Sequence, residues 1–81
     1  MFKNKTFEGK NNLCGSKIFE HRKAYIPKMS QRILAEKMQL LGIDLDKNAI
    51  QRIESGQRFV TDIELVAFAQ IFCISCDDLL M

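Results

Sequence analysis

Apolar residues in this chain return at steps of three and four along most of its length, and no strand pattern is sustained. A step of three or four keeps side chains on one face of a helix, whereas a strand needs a step of two. Five short segments carry the helical spacing, separated by residues that start or stop helices. In the first, roughly Leu13 to Tyr25, the residues Cys14, Ile18, Arg22 and Tyr25 share one face, and Pro27 prevents its continuation. Ser30 caps the second, whose stripe is Leu34, Met38 and Leu41 with Ala35 beside it, and Gly42 follows as a stop. Asp46 caps the third, about Asp46 to Ser55, with Ile50, Ile53 and Glu54 turned inward and Gly56 behind them. Thr61-Asp62-Ile63-Glu64 has the form of a capping box and opens the fourth helix. Leu65, Val66, Phe68, Ala69, Ile71 and Phe72 make that helix the most apolar and predict a central place for it. Ser75 caps a short fifth helix with Asp77 and Asp78 in its positive first turn, ahead of Leu79 and Leu80.

These segments predict one all-α domain, a compact five-helix bundle over residues 12–81 of the 81-residue chain. Residues 1–11 show no sustained period and read as a flexible basic arm carrying Lys3, Lys5 and Lys10. No apolar run approaches the roughly 20 residues that span a bilayer, and no stretch resembles a signal peptide. The expected compartment is the cytoplasm, and the odd count of cysteines, Cys14, Cys73 and Cys76, fits its reducing conditions. Tetrahedral zinc needs four ligands, and beyond Cys73 and Cys76 only the distant Cys14 and His21 remain. The cysteines therefore read as buried, small apolar side chains, with no metal. His21 has no Ser or Cys partner at a telling position. There is no Gly-rich phosphate loop or paired-carboxylate site, so neither an enzyme nor a cofactor is expected, and no small-molecule ligand is evident.

Charge is distributed unevenly along the chain. Residues 1–61 hold all 12 Lys and Arg against six acids, a net of +6, while residues 62–81 hold four acids and no base, a net of −4. This asymmetry suits a chain whose first three-quarters meets a polyanion. The third helix is too short to be stable alone, so its inward face must dock on the bundle. Its outward face presents Lys47, Asn48, Gln51, Arg52 and Ser55, with no carboxylate except the capping Asp46. Such side chains suit base edges: Arg forks onto guanine, and Asn or Gln pairs with adenine in the major groove. Arg22 and Glu54 sit on two inward stripes, where a lone charge would be costly, which predicts that they pair.

Ser30-Gln31-Arg32-Ile33-Leu34-Ala35-Glu36-Lys37-Met38, then Ile50-Gln51-Arg52-Ile53-Glu54-Ser55-Gly56, then Thr61-Asp62-Ile63-Glu64-Leu65 together resemble the Cro/cI-type helix-turn-helix family, the lambda-repressor-like or XRE fold. The likeness covers about Asn12 to Met81. It implies a sequence-specific binder of double-stranded DNA, a small transcriptional regulator of repressor type, with helices two and three as the DNA-binding unit. It further implies base contacts at Lys47, Asn48, Ala49 and Arg52, and phosphate contacts at Gln31, Arg32, Gln51, Ser55, Gln57 and Arg58. The Arg22 and Glu54 pair is implied as well. Repressors of this kind use paired half-sites about 34 Å apart, and Leu79-Leu80-Met81 offers a small apolar surface for a homodimer. The chain departs from the family pattern in two longer links, Gln39 to Leu45 and Ala24 to Met29. The first can prolong helix two through Leu41 or form a longer loop.

A rival reading keeps the fold and replaces DNA by a protein partner, as in an antitoxin or antirepressor. Exposure of Ile33 and Leu40 on helix two would favour it.

Overall fold

The computed structural model describes residues 5, 6 and 8–81. It is all-α, with α1 at Gly15–Ala24, α2 at Gln31–Leu40, α3 at Lys47–Glu54, α4 at Asp62–Phe72 and α5 at Cys76–Leu80, and no strand among the described residues. No helix there is long and apolar enough to cross a membrane.

Four of the five helices start at an N-cap residue whose own side chain satisfies an otherwise unpaired N–H. Ser30 Oγ accepts from Ile33 N at 3.1 Å, and Asp46 Oδ1 accepts from Ala49 N at 2.7 Å. Thr61 and Glu64 complete the expected box reciprocally, and Ser75 with Asp78 forms a second one at α5. The start of α1 falls later than its apolar spacing suggests. Cys14 makes no side-chain cap, and Asn12 Oδ1 instead accepts from Gly15 N at 2.8 Å. Gly15 is required there because a Cβ would overlap the carbonyl oxygen of Ile53, so α1 begins pressed against the end of α3.

Ile18 from α1, Leu34 and Met38 from α2, Ile50 and Ile53 from α3, and Phe68 from α4 are fully enclosed. The longer link after α2 proves to be a turn rather than more helix. Ile43 N returns to Met38 O at 3.0 Å, Gln39 Nε2 donates to Leu45 O at 2.9 Å, and Leu45 fills the core beneath. The last helix packs on α1 and α4, while α3 packs on α1 and α2, and α2 also rests on α4.

Of the expected arm, Asn11 hydrogen-bonds to the chain behind α3 and Lys10 N donates to Thr6 Oγ1, while residues 1–4, with Lys3, and residue 7 lie outside the described residues. Two expectations need correction. The central helix α4 buries Ala67, Phe68, Ala69 and Phe72 but leaves Val66 exposed, because its outer face has no helix over it. Cys73 is exposed and Cys76 half-buried, and only Cys14 is enclosed, where burial pushes its thiol up to about 11. His21 is half-buried, with its ring 5.7 Å from that of Phe72.

The Arg22 and Glu54 side chains meet in the bundle. Nε lies 2.6 Å from Oε2 and Nη2 lies 3.0 Å from Oε1, with side-chain exposures of 10% and 5%. Arg22 Nη1 also donates to Met29 O at 3.1 Å, and Gln31 Nε2 donates to Glu54 Oε1 at 3.0 Å. A forked pair this well enclosed is costly to break from one side, because the survivor remains as an uncompensated charge. Glu54→Gln is expected to lower unfolding free energy by about 3–5 kcal/mol in urea titrations. A loss under about 1 kcal/mol would instead mark a pair of surface character.

Cys73 ends α4 in the left-handed region, at φ 56°, a conformation that costs a side-chain-bearing residue roughly 1–2 kcal/mol. Its side chain is exposed, so little packing depends on it. Cys73→Gly should raise stability by about 0.5–1 kcal/mol after glycine's entropic cost, read as a higher urea midpoint.

Candidate nucleic-acid interface

The inward stripe of α3 fixes what its other side presents. With Ile50 and Ile53 enclosed and Glu54 tied to Arg22, the residues Lys47, Asn48, Gln51, Arg52 and Ser55 all stand exposed. Steps of four bring Lys47, Gln51 and Ser55 into one row and Asn48 with Arg52 into the next. Ala49 does not join them. It is 6% exposed and packs in the core beside Ile50, so it cannot offer its methyl group to a base without leaving the bundle.

The start of α2 lies beside the start of α3. Arg22, Lys28, Ser30, Gln31, Arg32 and Lys47 line an open depression of about 550 Å³ between them. Among the described residues the ion pairs are Arg22 with Glu54, Arg32 with Glu36 and Arg58 with Glu64. Lys28, Lys47 and Arg52 thus carry positive charge without a carboxylate partner there. The Arg32 pair is an exposed helix-surface contact at 3.8 Å, which an anion can displace at little cost. Gln31 is half-buried and gives one amide hydrogen to Glu54, leaving the second for the depression. Lys28 was not among the residues singled out from the sequence. It lies in the longer link before α2, where no motif position falls, and only its charge marked it.

At the other end of α3 the expected phosphate contacts fare differently. Ser55 Oγ donates to Arg52 O at 3.1 Å, so its hydroxyl must rotate to meet an anion. Gln57 is exposed. Arg58 is taken up by the fold: Nη1 and Nη2 each lie 3.0 Å from one oxygen of Glu64, and Nη1 also donates to Phe59 O at 2.9 Å. A guanidinium forked onto a carboxylate is a poor candidate for a phosphate contact, since the pair must open first.

Glu64 serves two elements at once. It is nearly buried, and it caps α4 through Thr61 N while holding Arg58. Burial pushes its carboxyl up, but the hydrogen bonds from Arg58 and Thr61 and the Arg58 charge together hold it below the usual carboxylate range. A carboxyl depressed by folding adds stability above its unfolded value, about 4.3, and loses it as pH falls through the lower folded value. Glu64→Gln should therefore lower the urea midpoint at neutral pH, and the gap from the parent protein should close as pH falls through that acidic window. A gap of constant size would show that the Glu64 charge does not contribute.

Among the described residues no group of three or more His, Cys, Asp or Glu side chains could hold a metal ion. No family model, curated protein or solved structure matches the chain.

Proposed function

We propose that this protein binds double-stranded DNA sequence-specifically, as a small transcriptional regulator of Cro/cI type, with α3 lying in the major groove. The observation that carries the reading is the outward face of α3. Lys47, Asn48, Gln51 and Arg52 are exposed together with no carboxylate but that of the capping Asp46, beside a depression whose rim adds Lys28 and Arg32. In this reading Lys47, Asn48 and Arg52 meet base edges. Gln31, Arg32, Gln51, Ser55, Gln57 and Lys28 meet the backbone and set the register. A helix enters the groove mainly by its amino-terminal half, which puts Lys47 and Asn48 deepest and leaves Arg52 to reach by its length. The protein acts in the cytoplasm as a repressor, without enzymatic activity or cofactor. Two copies meet near the exposed Leu80 and Met81 to span paired half-sites.

One observation favours a protein partner instead. Leu40 is 87% exposed and borders a shallow groove of about 210 Å³ with Lys37, Leu41, Gln70 and Ile71, although Ile33 is half-buried. Salt separates the two readings. DNA affinity held by phosphate contacts falls with a log–log slope of about −0.9 per contact, and an apolar protein interface responds little.

Sites selected from random duplexes provide the test of base reading. Asn48→Ala and Arg52→Ala should each flatten preference at a separate base pair, with a loss of about 1–3 kcal/mol at the preferred site. Gln31→Ala should weaken all sites alike. Folded variants that keep the parent's preference at every position would remove α3 from base reading.

A further inference from the structure

The stretch before α1 is strapped across the carboxyl end of α3. Asn12 Nδ2 donates to Ile53 O at 3.1 Å and to Arg58 O at 2.7 Å. Asn11 N donates to Gly56 O at 2.8 Å and Asn11 Nδ2 to Gln57 O at 2.7 Å. Lys10 lies over Gly56, where a Cβ would come within 2.8 Å of its Cδ, and Gly56 itself turns at φ +83°. Lys5 Nζ is held on the same strap by Asn11 Oδ1 at 3.0 Å.

The electrostatics of that end need such a cover. The last carbonyls of a helix carry partial negative charge, which repels a phosphate. Here four carbonyls, one of α3 and three of its following turn, accept from Asn11 or Asn12, and the stem of the exposed Lys10 lies against Gly56. The arginine nearest in sequence, Arg58, has its guanidinium forked onto Glu64.

We infer that Lys10, held in place by Asn11 and Asn12, is the phosphate-contacting cation at the carboxyl end of α3, in the role that sequence position gives to Arg58. The inference rests on the DNA-binding reading and deepens it. Asn12 is then a positioning residue: one side chain caps α1 through Gly15 N and ties it to both Ile53 and Arg58.

Two measurements test this. In the first, a fluorescein-labelled random-sequence duplex is titrated over a salt series with the parent protein, Lys10→Gln and, as a control on the exposed side of α1, Lys23→Gln. Lys10→Gln should flatten the log–log slope by about 0.9, one phosphate, with an unchanged thermal midpoint, and Lys23→Gln should leave the slope alone. An unchanged slope for Lys10→Gln on a duplex that the parent binds overturns the role of Lys10 and leaves the DNA reading standing. A parent that binds no duplex at any salt overturns both. The second measurement needs no DNA. In free Asn12→Ala the amides of Gly56, Gln57 and Arg58 should exchange faster while those of Leu34 to Met38 stay slow, and parent-like exchange overturns the strap. Asn11→Ala, which leaves the α1 cap intact, gives the same readout at Gln57 should Asn12→Ala fail to fold.

Discussion

The forked contact between Arg22 and Glu54 holds this fold to a single arrangement. Apolar surfaces tolerate small slips, since a displaced leucine still touches carbon, but two enclosed charges have little freedom to move apart. Arg22 belongs to α1 and Glu54 to the last turn of α3, and the pair also draws in Met29 O and the Gln31 amide from the approach to α2. Three helices are thereby referenced to one carboxylate. Whatever α3 presents outward is presented at an angle that this network determines.

Around that reference the surface is divided by chemistry. The outward rows of α3 and the rim of the neighbouring depression gather cations and amides, while Asp62, Asp77 and Asp78 belong to α4 and α5. The last helix packs against α1 and α4, so the acidic end of the chain is built onto helices other than α3. The bundle packs without using the exposed face of α3.

Much of this was legible in the sequence because the governing interactions are local. A cap joins residues three apart, and an apolar stripe repeats within two turns, so Ser30, Asp46, Thr61 and Ser75 announced their helices directly. The Arg22 and Glu54 pair was legible for a different reason, as two charges stranded on apolar stripes have few other outcomes. What escaped notice depends on distant backbone. Asn11 and Asn12 bond to carbonyls 41 to 46 residues away, and asparagines among glycines and lysines look like any loop. Arg58 looked like a free cation because its partner Glu64 was already accounted for as a cap, and one carboxylate does both tasks. Ala49 was misjudged because a methyl group fits either side of a helix, and only the packing of α3 chose the inner one. Cys73 shows the converse: a cysteine does not announce a left-handed helix end, and the backbone takes that conformation regardless.

The strap also decides which side of the molecule can carry an attachment. With Lys5 fastened to Asn11, and Asn11 fastened to the turn behind α3, a group attached at Lys5 sits near the carboxyl end of that helix. A purification tag, dye or fused domain placed there would crowd the surface that α3 presents. The same addition on α5 would sit on a helix that packs on α1 and α4. The strap and α5 are therefore not equivalent places to build.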